Sequence, residues 1–292
     1  MFGGSMVAVV TPMTAGGEID FPAWERLLEF HAENQTDGIV VGGTTGESPT
    51  LEAAELDELV KRAARKLRGR MPVIAGAGTN STKRTLLRAR ELGESGADAL
   101  LVVTPYYNKP TQEGLLEHFR AVAAAARVPV ILYNVPSRTG VDMEASTVAR
   151  LAREPHIAGI KEATASVERA REILACAPEG FAVISGDDAT AHELMDVGAR
   201  GVISVTANVA PKLMHELCVA ACSHEEEWTH ALDSKLRKLH AALFVESNPI
   251  PVKWALETMG LIAGGIRLPL TPLASRFHEQ VRDALRTSGV LN

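Results

Sequence analysis

Eight short apolar runs, each followed by a longer amphipathic stretch, fill about 220 residues and constrain the fold more than any other feature. The runs are Met6–Val10, Gly38–Val41, Pro72–Ala75, Ala99–Val103, Val130–Tyr133, Ile157–Lys161, Ala182–Ser185 and Gly201–Ser204. Each is nearly continuous in apolar residues instead of alternating apolar with polar, the pattern of a parallel strand covered on both faces. The stretches between them, Phe21–Glu33, Leu51–Leu67, Ser81–Glu94, Thr111–Ala126, Glu144–Ala152, Ser166–Ala175, Ala189–Asp196 and Pro211–Ala221, read as helices. Eight such units predict an α/β chain folded as a (β/α)₈ barrel. A doubly wound open sheet is the runner-up, but it calls for a glycine-rich dinucleotide turn after the first strand. Thr11-Pro12-Met13-Thr14 lacks that pattern.

Local signals set the expected element ends. Thr50 is placed to cap a helix starting at Leu51, with Glu52 and Glu55 where the helix dipole favours acids. Ser81 and Pro211 suit helix starts, and Gly69 and Gly93 suit helix ends. Beyond about Ser223 the strand runs stop. Trp228–Ser247, Ile250–Met259 and Leu270–Arg286 read as helices punctuated by Pro249, Pro251, Gly264-Gly265, Pro269 and Pro272. The expected organisation is a barrel over residues 1–224 with a small helical domain over residues 225–292.

Composition removes several function classes. The net charge of -6 gives no electrostatic reason to bind nucleic acid or an anionic membrane. The basic run from Lys61 to Arg68 reads as a solvated helix face. The 3 cysteines, Cys176, Cys218 and Cys222, are odd in number and form no CxxC, so a disulfide scaffold is not expected and a reducing cytoplasm is. Cys218 and Cys222 read as buried, inert thiols, and the 9 histidines show no metal-site spacing. Neither a signal peptide nor a membrane span is expected.

In a barrel the chemistry sits at the C-terminal ends of the strands. The second run ends in Gly42-Gly43-Thr44-Thr45-Gly46-Glu47-Ser48, whose glycines, hydroxyls and N–H groups suit a carboxylate cradle as well as a tight turn. All 3 tyrosines fall at two strand ends, Tyr106 and Tyr107 in one and Tyr133 in the other. A phenol beside a carbonyl suits proton transfer, and a plain aromatic plug is the other reading. Arg138, in the loop after the fifth run, suits a bidentate grip on a carboxylate, and a plain surface arginine is the other reading. The sixth run carries the sharpest signal, because Lys161 ends an apolar strand. A desolvated amine is pushed toward its neutral, nucleophilic form and can attack a ketone to form an imine, an electron sink for a carbanion on the next carbon. The competing reading is a lysine paired with Glu162 or Asp187. Ser185-Gly186-Asp187-Asp188 and Ile203-Ser204-Val205-Thr206 would close the floor of such a pocket, although Asp187-Asp188 also suits a helix cap.

The segments Gly42–Glu47, Val103–Pro110, Tyr133–Gly140, Gly159–Ala163, Ser185–Asp188 and Asn248–Lys253 together resemble the dihydrodipicolinate synthase family over nearly the whole chain. The resemblance implies a lyase in which Lys161 forms the Schiff base with pyruvate. Thr44, Tyr107 and Tyr133 would relay protons, with Tyr107 supplied by a neighbouring subunit. Thr45, Ile203 and Gly186 would bind pyruvate, and Arg138 would hold L-aspartate 4-semialdehyde. It further implies no metal or organic cofactor, a cytoplasmic homotetramer, and a place on the route to diaminopimelate and lysine. Asn80 and Tyr106 fit the lysine feedback site of many bacterial members, but Ala53, Leu56 and Arg84 depart from it. An arginine there repels an ammonium, so weak or absent lysine inhibition is expected. Two alternatives stand beside this reading: an aldolase acting on N-acetylneuraminate or a 2-keto-3-deoxy sugar acid, and a non-catalytic barrel that senses a keto acid.

Overall fold

The computed structural model describes residues 2–291. Its centre is a closed barrel of eight parallel strands in sequence order. They are β1 (Gly4–Ala8), β2 (Gly38–Val41), β3 (Val73–Gly76), β4 (Ala99–Val103), β5 (Val130–Asn134), β6 (Ile157–Glu162), β7 (Ala182–Ser185) and β8 (Gly201–Ser204). Around them lie α1 (Phe21–Glu33), α2 (Ala53–Leu67), α3 (Thr82–Glu94), α4 (Gln112–Ala125), α5 (Pro136–Thr139), α6 (Ala145–Leu151), α7 (Val167–Cys176), α8 (Ala191–Asp196) and α9 (Pro211–Cys222). The chain then continues through α10 (Glu226–Ala242), α11 (Ile250–Thr258) and α12 (His278–Thr287).

The continuous apolar runs follow from burial of both strand faces. Met6, Ala8, Val40, Ile74, Ile131, Ile184 and Ile203 fill the barrel interior. Their neighbours Val7, Ile39, Val130, Leu132, Ile160 and Val183 pack outward against the helices. Successive side chains point to opposite faces, so both sets must be apolar. The outer core runs without a break from Met214 and Leu217 of α9 into Leu232, Leu236 and Leu239 of α10 and Leu285 of α12. The helical C-terminal segment therefore shares a core with the outer layer of the barrel. Among the described residues no helix is long and apolar enough to cross a membrane.

Several expected ends moved, for local reasons. β1 starts at Gly4, ahead of the apolar run, because Gly201 lies against it. A Cβ on Gly201 would stand 2.1 Å from the Gly4 carbonyl oxygen, so glycine alone allows the two strands to pair there. α2 begins at Ala53, and its cap is Glu52 in a reciprocal box with Glu55, not Thr50. Ser81 does cap α3, accepting from Arg84 N–H. Gly93 lies inside that helix, and Gly96 (φ +97°) makes the turn beyond it. α12 begins only at His278, after a 3₁₀ turn over Ser275–Phe277, while Pro272 disfavours helical backbone at Thr271. Cys218 is buried as expected, but Cys222 is exposed and so is Cys176. The basic run is a solvated face of α2, with Arg62 paired to Glu58 and Lys66 to Glu29.

Candidate active site

Lys161 projects from β6 into the barrel, level with Tyr133 of β5 and Ile184 of β7. It is only 6% exposed. Its Nζ lies 4.5 Å from the centroid of the Tyr133 ring. Among the described residues it makes no ion pair, because both acids proposed as partners are occupied elsewhere. Glu162 points to the opposite face of β6 and accepts from Asn134 Nδ2 (3.1 Å) and from Thr164 N–H (2.8 Å). Burial pushes its carboxyl above the ordinary range, and these donors offset part of that. Asp187 accepts from the N–H and hydroxyl of Thr190 just before α8, as a capping acid would. Gly186 lies against Lys161 itself. A Cβ there would stand 3.0 Å from Lys161 Cε and 2.6 Å from Ala163 Cβ, so any larger residue displaces the amine. Ile203 faces the same interior from β8.

The loop after β2 forms the next wall. Thr44 is half-buried, and Thr45 is buried with its hydroxyl accepting from Asn248 Nδ2 at 3.0 Å. Glu47 adopts a left-handed backbone (φ +58°). Its buried carboxylate pairs with Lys253 of α11 and accepts from Arg267 N–H at 3.1 Å. Burial pushes the Lys253 ammonium below its ordinary range, against the pull of Glu47. Arg138, on the short helix α5, is exposed, and its Nη2 donates to the Asn248 carbonyl at 3.5 Å. Asn248 therefore touches the hydroxyl of one candidate binding residue and the guanidinium of another. Its own Oδ1 is buried without a partner.

A cavity of about 630 Å³ opens at this end of the barrel. Thr44, Tyr133 and Arg138 line it together with Ala53, Leu56, Arg84 and Tyr106, and Lys161 adjoins it through the Tyr133 ring. Tyr107 is not among its lining residues. It is 89% exposed, on a left-handed backbone (φ +73°). Asn80 is tied to the same loop, its carbonyl accepting from Asn108 Nδ2.

Along the chain Asn248 and Lys253 are parts of a motif, and nothing there gives Glu47 a role. Lys253 carried a visible signal, since it is the one charge in the apolar stretch Ile250–Leu256. Its partner lies 206 positions away, and spacing does not reveal such a pair.

With this geometry in hand, comparison with known proteins is direct. A model of the dihydrodipicolinate synthetase family matches residues 1–288. A 4-hydroxy-tetrahydrodipicolinate synthase of Methylococcus capsulatus is 56% identical over 291 residues, covering 100% of both chains. One from Nitrosospira multiformis is 54% identical over 287 residues, covering 98% of this chain and 96% of that one. The crystal structure of the chloride-inhibited dihydrodipicolinate synthase of Acinetobacter baumannii, complexed with pyruvate, superposes with a TM-score of 0.98. It is 51% identical and covers 100% of both chains. The chain belongs to the dihydrodipicolinate synthetase family.

Proposed function

We propose that this chain condenses pyruvate with L-aspartate 4-semialdehyde to give 4-hydroxy-tetrahydrodipicolinate and water, through an imine on Lys161. The observation that carries the reading is a buried lysine, without an ion pair among the described residues, set against a tyrosine ring at the catalytic end of a barrel. The amine adds to the pyruvate ketone and water leaves. Loss of a proton from the methyl carbon gives an enamine, with the protonated imine as the electron sink. The enamine carbon bonds to the aldehyde carbon of the second substrate. The amino group of that substrate then attacks the imine carbon, closes the ring and returns Lys161 to the free amine. No metal or organic cofactor is needed, because the imine supplies the electron sink.

In this reading Tyr133, Thr44 and Tyr107 carry protons to and from the carbonyl oxygens. Thr45 and backbone groups near Gly186 and Ile203 hold pyruvate, and Arg138 grips the carboxylate of the aldehyde. The exposure of Tyr107, unlike Tyr133 and Thr44, supports its serving the site of a neighbouring subunit in a cytoplasmic homotetramer. Residues 225–292 act as a helical domain whose Asn248 and Lys253 hold the β2 loop.

The test is to incubate the protein with pyruvate, add borohydride, and read the intact mass and the modified peptide. A single reduced pyruvate adduct on Lys161 is expected. A folded sample with no adduct removes the imine and with it the proposed reaction.

A further inference from the structure

The barrel is stitched unevenly. Every other neighbouring pair of strands shares a ladder of at least three facing residues. β7 and β8 share a single facing pair, Ser185 and Val202. On the side away from the site, Arg200 N–H donates to the Val183 carbonyl at 2.8 Å. On the catalytic side a side chain makes the joint. Asp188 Oδ2 accepts from Val205 N–H at 3.0 Å and from Thr206 N–H at 2.9 Å. Asp188 is 3% exposed, and its other oxygen has no partner. The same turn is braced from the C-terminal helices, where His240 Nδ1 and the Thr206 hydroxyl are 2.8 Å apart. On its far side Asn208 ties the turn to β1, donating to the Ala8 carbonyl (2.9 Å) and accepting from Val10 N–H (3.0 Å).

We infer that Asp188 is a positioning residue for the pyruvate end of the site, holding the end of β8, and so Ile203, at a fixed place relative to Gly186 at the end of β7. This rests on the reading of Lys161, Gly186 and Ile203 as the imine pocket. Asp188 is two residues past Gly186, and Val205 is two residues past Ile203, so the two carboxylate bonds lie just above the pair they set. A Cβ at Gly186 would already crowd the Lys161 side chain, so the end of β7 lies close to the amine. Misplacement by about 1 Å costs on the order of a hundredfold in rate where reacting groups must be aligned. Two buried backbone N–H groups need an acceptor there, and one carboxylate oxygen serves both. Charge-assisted bonds to two consecutive N–H groups add directional hold.

The test compares Asp188→Ala and Asp188→Asn in the full-length protein. Each is read by kcat, by KM for pyruvate, by KM for L-aspartate 4-semialdehyde and by thermal midpoint, alongside borohydride trapping of the wild type. In Asp188→Ala the pyruvate KM rises about tenfold or more while the aldehyde KM stays within about twofold. In Asp188→Asn one amide oxygen still accepts from both N–H groups, so the pyruvate KM returns to within about threefold of wild type. A lowered thermal midpoint with both KM values unchanged, an equal rise in both, or no rescue by asparagine overturns the inference. Should the alanine variant fail to fold, Asp188→Glu keeps the carboxylate but moves it by one methylene. A pyruvate KM raised about two- to fivefold with the aldehyde KM unchanged then supports the inference, and two unchanged KM values overturn it. If the wild type traps no pyruvate on Lys161, the functional reading itself falls. If it does, and Asp188→Ala keeps wild-type KM values, only this inference falls.

Discussion

Arg138 reaches only the Asn248 carbonyl and has no carboxylate partner among the described residues. Such a guanidinium, at the rim of a cavity it shares with Thr44 and Tyr133, is free to take an anionic substrate. A hydrogen bond to a charged group contributes about 1.5–3 kcal/mol, so Arg138→Ala is expected to cut kcat/KM for the aldehyde by about ten- to a hundredfold. Borohydride trapping of pyruvate should stay intact in that variant, and steady-state kinetics with each substrate varied in turn checks both. At this scale much of the site was legible. Lys161 stood out because a cation ending an apolar strand needs a reason, and the tyrosines because all 3 cluster at strand ends. Asn248 was not legible as a bridge, since it acts on Thr45 from 203 positions away.

At the scale of elements, α11 reaches back into the β2 loop through Lys253 and Glu47, both buried. Removing one partner strands the other charge. Lys253→Met is expected to cost about 3–5 kcal/mol in chemical denaturation, and adding Glu47→Gln should recover much of it. An equal loss in the double variant would mean that the stranded carboxylate is not the cause. Two helices also bury neutral histidines against the barrel. Burial holds His31 of α1 down to about 3 and His118 of α4 down to about 4, from an ordinary value of 6.5. The unfolded chain takes up these protons near pH 6.5 and the native one does not, so protonation favours unfolding. Stability from these groups is complete above pH 6.5 and falls as the pH drops below it, by up to about 1.4 kcal/mol per unit for each histidine. Denaturation midpoints at pH 7.5, 6 and 5 should decline, and His31→Leu should flatten that decline. The elements themselves were legible from period and punctuation, with β2, β4, β7 and β8 bounded as expected. The late start of α12 was not, because the 3₁₀ turn over Ser275–Phe277 has nearly the same side-chain spacing as the first turn of an α-helix.

For the whole molecule, the exposure of Tyr107 bears on how subunits share an active site. A tyrosine 89% exposed and apart from Thr44 and Tyr133 has no evident work within its own chain. If each subunit lends Tyr107 to its neighbour, Lys161→Ala and Tyr107→Phe are inactive alone. Mixed after dissociation and reassembly, they regain about a quarter of wild-type activity, because a mixed pair holds one complete site. No recovery from a mixture shown to contain hybrid oligomers would place the tyrosine within its own chain or outside the chemistry. The Ser185–Val202 seam also belongs to this scale, since only closure of the barrel brings the last strand to the ones before it.

The sequence by itself determined the eight-unit barrel, the helical end and the lysine at the catalytic rim. Strands buried on both faces must be continuously apolar, and a charge that interrupts such a run is conspicuous. Tertiary structure alone decided which residues stand beside that lysine. It set Glu162 against Asn134, joined Glu47 to Lys253, and made Asp188 the joint between β7 and β8. The physical reason is that periodicity reports which face a side chain occupies. Partnership depends on register, closure and crossings that bring together residues with no pattern linking them along the chain.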